Sequence, residues 1–245
     1  MILLSYDVET TGLDKQKDRI IEIGLALYST GQRKVLESTS FLVQSDVPIS
    51  AEVTEITGIT QAAVDKFGYD PGDALDSFID FAQQAEAIIG HNVIKFDRPI
   101  TENAAKRLSR VLPEKLWIDT MTDIPNVKGE QLITMCAKVG ILLTGAHSAL
   151  VDAMGVLGMA QFHSQDSAKS FEKMAERAMS PIVLLQSHQD RNSNADAKKF
   201  QFRWNPNFKL WWKPVKEMDV EALANQVPFK MSRLGKEITI EQLEE

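Results

Sequence analysis

Apolar and polar positions near the start of the chain fall into three runs, "ILLSYDVE", "IIEIGLALYS" and "ESTSFLVQ", joined by short polar connections. Runs of this length and composition predict strands in an antiparallel meander. From about residue 50 the spacing becomes helical: Asp73-Ala74-Leu75-Asp76 leads into apolar positions 75, 78, 79 and 81-82. "AEAIIGHN" predicts a short buried strand that leaves into a loop. A helix follows Asp97, with Pro99 accepted in its first turn. "KLWIDT" predicts another short strand, and helices are expected near 129–139 and 149–162. Strands first, then alternating helix and strand, predict an α/β domain: a mixed β-sheet flanked by helices.

The polar run "HSQDSAKS", 163–170, marks the expected boundary. The predicted organisation is a domain over 1–163, a connection with a helix over 164–180, and a small α+β module over 181–245. In that module "PIVLLQS" predicts a strand, "FQFRW" alternates large and polar residues with period two, and "NPN" can turn so that "KLWWK" pairs back. A helical pattern near 217–226 precedes a tail without an assignment.

Composition narrows the class. The 245 residues, 44% hydrophobic and 25% charged, suit a soluble globular protein with one large domain and a small appendage. The single cysteine, Cys136, excludes an intramolecular disulfide framework, fits a reducing compartment and reads as a small core residue. No run approaches the roughly 18 apolar residues of a membrane span, and "MILLS" is too short for a signal-peptide core. The expected location is cytoplasmic, in a cell or a virus-infected cell. Charge is uneven: residues 191–216 hold seven basic side chains against Asp196, a net +6, which leaves −13 on the rest of a chain of net charge −7.

Chemistry first shows in "YDVETTG". In a strand, residues i and i+2 share a face, so Asp7 and Glu9 project together from the end of the first strand. Taken singly, each acidic feature has a plain explanation. Two acids can be solvated at a strand end, Asp97 in "GHNVIKFD" can cap its helix, and His147 with Asp152 in "GAHSALVDA" can form a local hydrogen bond. Taken together, four carboxylates lie on segments that end at one sheet edge. Hard cations take oxygen ligands and use carboxylates with substrate phosphate. Two such ions about 3.5–4 Å apart can hold the attacking and leaving oxygens of a phosphoryl displacement. A histidine can accept the proton of the attacking water.

The order Asp7-x-Glu9, Asp97, His147-x₄-Asp152, within "DVETTGL", "HNxxxFD" and "HxALxDA", resembles the DEDDh exonucleases of the DnaQ-like, ribonuclease H-like superfamily over roughly residues 1–163. The Tyr-bearing branch would carry tyrosine where this chain has Ser148. The resemblance implies a 3′→5′ exonuclease with two divalent cations, Mg²⁺ or Mn²⁺. It implies that Asp7, Glu9 and Asp152 hold the first, Asp7 bridges to the second, Asp97 supports the second, and His147 is the general base. It also implies that Thr10, Thr11 and Gly12 lie under the terminal nucleotide, with Leu13 against its base. His91, Asn92 and Phe96 would line the pocket, and Ile56 and Ile59 of "EITGIT" would contact the terminal base. Many proofreading relatives carry His-Gly where this chain has Thr57-Gly58, which bears on substrate choice.

Trp204, Trp211 and Trp212 fall in the basic stretch. Two readings stand: rings that stack on bases while lysines follow phosphates, or rings that form the core of a small module. Phe200, Phe202, Trp204 and Trp211 are expected in a core and Trp212 at the surface, with Arg203, Trp212 and Lys213 as candidate nucleic-acid contacts. "AKKFQFRWNPNFKLWW" resembles small modules appended to nucleic-acid enzymes. The leading expectation is an exonuclease acting on 3′ ends of DNA and releasing nucleoside 5′-monophosphates. The alternatives are an RNA-trimming relative and a non-catalytic nucleic-acid-binding or polymerase-docking module. No segment identifies a polymerase partner.

Overall fold

The structure, a computed structural model, describes residues 1–127, 129–145, 147–190, 193–235 and 237–244, so Arg191 of the basic stretch lies outside the described residues. It divides into two compact units, Met1–Ala178 and Met179–Glu245.

In the first unit, β1 (Ile2–Thr10), β2 (Ile20–Ser29) and β3 (Lys34–Leu42) form the expected meander. Two short strands, β4 (Ala87–Gly90) and β5 (Leu116–Asp119), extend it in parallel on the other side of β1. The sheet order is β3-β2-β1-β4-β5. Strands β1, β4 and β5 share a direction, so their C-terminal ends share an edge, the usual ligand-binding edge of such sheets.

Period-two alternation sorts β1 between two cores. Leu4, Tyr6 and Val8 pack with Leu75, Phe78 and Ala82 of α3 (Pro71–Gln84) and Ile100 and Ala104 of α4 (Asp97–Arg107). Leu3 packs on the other face with Met135 and Cys136 of α5 (Leu132–Lys138), Val156 and Met159 of α6 (Ala149–His163), and Phe171 and Met174 of α7 (Phe171–Met179). The segment 164–180 thus contributes two buried side chains to the first unit. Two further helices, α1 (Ala51–Thr57) and α2 (Gln61–Phe67), are N-capped by Ser50 and Thr60. Ile59 is 8% exposed in a cluster with Ile21 and Val64, which makes it a core residue and leaves Ile56 as the exposed member of "EITGIT".

Helix α6 lies close on β1 and β2 because the facing residues are small. The Ser5 hydroxyl donates to the carbonyl of Ala153 at 2.7 Å, and a Cβ on Gly24 would come within 2.2 Å of the Ala149 backbone.

The second unit contains β6 (Ile182–His188), α8 (Asn194–Lys199), β7 (Arg203–Asn205), β8 (Leu210–Lys216), α9 (Val220–Ala224), β9 (Lys230–Arg233) and α10 (Ile240–Glu244). Its sheet runs β7-β8-β6-β9. The predicted hairpin pairs Trp204 with Trp211. The unassigned tail supplies β9, which pairs with β6. Among the described residues, no helix is long and apolar enough to cross a membrane.

Candidate active site

The same alternation that buries Tyr6 and Val8 against α3 and α4 turns Asp7 and Glu9 toward the side covered by α6. There α6 presents Asp152 from its first turn. His147 lies just before α6 with its backbone at φ +68°, and its amide donates to Asp152 Oδ2 at 3.2 Å. A positive φ is uncommon for a residue with a side chain, though histidine adopts it more often than most. Glu9, His147 and Asp152 each offer a ligand atom within 4.8 Å of the others.

Asp97 does not cap its own helix. It is the first residue of α4, and its Oδ1 accepts the amide of Val8 on β1 at 3.0 Å. Tyr6 and Thr101 help hold it there: their hydroxyls are 2.7 Å apart, and Thr101 Oγ1 donates to the Asp97 carbonyl at 2.6 Å.

Burial raises the proton affinity of all four acids, and neighbouring charges add to it. Asp7 is pushed well above the usual carboxylate range by burial and by the charges of Asp97, Asp152, Glu9 and Glu22. Glu9 is pushed to about 8 by burial, then by Asp152, Glu22 and Asp97. Asp97 rises to about 7 through burial, against the Val8 amide, which favours its ionised form. Asp152 is raised mainly by burial, partly offset by His147. An oxygen-rich, mutually repelling set of this kind fits a hard divalent cation.

This has a consequence for stability. Unfolded carboxyls lose their protons near pH 4, whereas Glu9 and Asp97 in the fold hold theirs until about 8 and about 7. The unfolded state therefore binds fewer protons between these limits, and stability falls as pH rises through the window. In EDTA the melting temperature should drop from pH 5 toward pH 8.5, by about 2–4 °C for each kcal/mol involved. Mg²⁺ or Mn²⁺ should flatten the slope. A melting temperature that rises over this range in EDTA would contradict the raised proton affinities of Glu9 and Asp97.

The remaining predicted residues divide. Thr10 and Thr11 are buried and their hydroxyls serve the loop: Thr10 donates to the Gly12 carbonyl at 2.7 Å and Thr11 to Asp18 Oδ1 at 2.9 Å. Gly12 leaves room for that carboxylate, which a Cβ would meet at 2.5 Å. Leu13 is 81% exposed and so is not core. His91 has its ring nitrogens 2.9 Å from Thr120 Oγ1 and 2.8 Å from the Glu130 carbonyl, and burial lowers its pKa. Asn92 has φ +58° and donates its amide to Asp119. Phe96 is half-buried at the start of α4.

Three buried acids escaped the sequence reading. Glu22, 9% exposed and opposite Glu9 on β2, accepts from the Ala149 amide at 3.0 Å and the Ser40 hydroxyl at 2.6 Å. It ties the start of α6 to the sheet, and its signal is an acid inside the apolar run "IIEIG". Asp119 accepts the amides of Asn92, Ile94 and Met121 and so shapes the loop ahead of Asp97. Asp123 accepts the Asp119 amide at 2.8 Å.

Residues 4–158 match the RNase_T exonuclease family. The chain belongs to that family. The chain is 31% identical over 189 residues to the DNA polymerase III PolC-type of Caldanaerobacter subterraneus subsp. tengcongensis, a match covering 74% of the chain and 12% of the relative. The chain thus spans about an eighth of that relative's length. Its fold is similar to Escherichia coli exonuclease I in complex with a dT13 oligonucleotide carrying a 5cy label (TM-score 0.62, 16% identity, 77% of this chain and 48% of that one). It is also similar to the nuclease domain of 3′hExo, a DEDDh family member, bound to rAMP (TM-score 0.59, 20% identity, 69% and 94%). These likenesses show the ribonuclease H-like fold.

Proposed function

We propose that this exonuclease removes nucleotides from 3′ ends of DNA in a reaction that needs two divalent cations, Mg²⁺ or Mn²⁺, and releases nucleoside 5′-monophosphates. The observation that carries the reading is that Glu9, His147 and Asp152 bring ligand atoms within 4.8 Å of one another, beside a buried Asp7 that feels the charges of Asp97, Asp152 and Glu9. Asp7, Glu9 and Asp152 would hold one cation, and Asp7 with Asp97 would serve the second. When bound, the cations stabilise charge on the phosphoryl oxygens and lower the pKa of water.

His147 takes the proton of the attacking water. Its side chain is exposed, which gives it access to solvent, and its backbone is held by Asp152. Leu13, standing free at the loop tip, offers an apolar surface to the terminal base, with Ile56 as a second contact. Gly12 and the internally bonded Thr10 and Thr11 shape the floor beneath that nucleotide. His91, with Asn92 and Phe96, lines the pocket by fixing its wall rather than through a free ring nitrogen.

DNA is preferred because the PolC-type relatives are DNA polymerases and exonuclease I carries a dT oligonucleotide. The rAMP bound to 3′hExo favours RNA trimming as the second reading. Matched single-stranded DNA and RNA oligomers, labelled at either end, separate them. The expected result with Mn²⁺ is a 3′-initiated ladder on DNA, nucleoside 5′-monophosphate as product, and slower loss of RNA. A strong RNA preference would reverse the substrate assignment, and absence of hydrolysis of any 3′ end would remove the activity.

A further inference from the structure

In the second unit Arg203, Trp212 and Lys213 are engaged within the unit itself. Trp212 is 1% exposed, not at the surface, and packs with Leu210 and Leu243. Arg203 lies over its ring at 5.0 Å and pairs with Glu244 at 3.2 Å. Lys213 is half-buried and donates to the Phe200 carbonyl at 2.9 Å. All three of these candidate contacts are therefore committed to the unit itself.

Trp204 is the opposite case. It was expected in the core, yet it is 49% exposed on β7, an edge strand. Its ring centroid is 5.8 Å from that of the half-buried Trp211, at an interplanar angle of 54°. The ammonium of exposed Lys198, on α8, lies 6.0 Å from the Trp211 ring. The hairpin that carries the pair is braced. Asn205, buried, accepts the Phe208 amide at 2.8 Å and donates to the Leu243 carbonyl at 3.1 Å.

An exposed indole beside a second indole and a cation, in a stretch of net charge +6, suits a ligand with flat faces and negative charge. We propose that Trp204, Trp211 and Lys198 form a stacking surface for single-stranded nucleic acid. Any base offers a π-face to such a surface, so the binding is sequence-tolerant, and Lys198 meets the backbone charge. A braced hairpin also spends little ordering entropy when a strand arrives.

Binding to this surface is independent of hydrolysis; its use in holding substrate rests on the exonuclease reading. The test uses the full chain in EDTA, where nothing is cut, with fluorescein-labelled oligo-dT of about 20 nucleotides, followed by anisotropy over a salt series. Trp204→Ala should weaken binding about tenfold, within the roughly 5- to 160-fold span of losing one stacked base. Trp204→Phe should restore most of it. Lys198→Ala should make the slope of log K against log salt shallower by roughly 0.7. If all three variants match the wild type in affinity and slope within about twofold, the surface is not a nucleic-acid site. That outcome also covers a protein partner occupying it. With Mn²⁺, Trp204→Ala should raise KM on the long oligomer and leave kcat unchanged. Loss of kcat in the wild type would count against the exonuclease reading without touching the binding result.

Discussion

Asp7→Asn should lower kcat by about 10³-fold or more with Mg²⁺ or Mn²⁺, while raising the melting temperature in EDTA. The first effect follows from the position of Asp7, whose carboxylate interacts with those of Asp97, Asp152, Glu9 and Glu22. On the proposed function, removing a charge that would serve both cations forfeits several kcal/mol of transition-state stabilisation, and about 4 kcal/mol corresponds to roughly 10³ in rate. The second effect follows from the same repulsion. With no cation present, burial and the neighbouring acids disfavour the ionised Asp7 that the unfolded chain keeps, and an amide of equal size carries no such cost. A variant damaged in its packing would lose activity and stability together. Steady-state kinetics on a 5′-labelled oligomer and melting curves in EDTA make the pair of measurements. Activity within about tenfold of wild type would take Asp7 out of the cation site.

His147→Gly should reduce kcat by about 10²- to 10⁴-fold, the usual contribution of a positioned proton acceptor, and added imidazole should restore part of it. Glycine suits this test because His147 sits at φ +68°, a backbone conformation that glycine adopts without strain. The exposure of the side chain leaves an opening through which imidazole can enter. Glu9 and Asp152 keep their own anchors on β1 and α6, so the Mn²⁺-induced rise in melting temperature should survive the substitution. Loss of that rise would make His147 a ligand instead of a base. Full activity in the variant would leave the proton with another acceptor.

The structure explains why individual acids misled when read one at a time. Asp97 has the position of a helix cap in the sequence, and capping is its most local option. In the fold it reaches across to the Val8 amide, because α4 begins beside β1 and the sheet edge offers a donor there. Glu22 lies in a strand buried along its whole length. Its partners, the Ala149 amide and the Ser40 hydroxyl, come from segments far apart in the chain. Only their assembly offsets the cost of burying an acid.

The aromatic module teaches the same point through side-chain alternation. Period two says that Trp211 and Trp212 face opposite ways, which is correct: Trp211 packs beside Phe202 and Val215, Trp212 beside Leu210 and Leu243. It does not say which face is covered. Here both faces are packed, with α10 supplying Leu243 to one of them, so Trp212 is buried while Trp204, across the edge from Trp211, stays half in solvent.

What the sequence by itself determined was local and periodic: the meander, the order of strands and helices, the shared face of Asp7 and Glu9, and the spacing of His147 and Asp152. These depend on neighbours a few residues away, which any stretch of chain carries with it. Only the tertiary structure decided that Asp97 turns to β1, that Glu22 anchors α6, and that Trp204 rather than Trp212 is exposed. Each of those depends on which distant backbone donor, carbonyl or apolar face arrives opposite a side chain, and long-range packing alone chooses that partner.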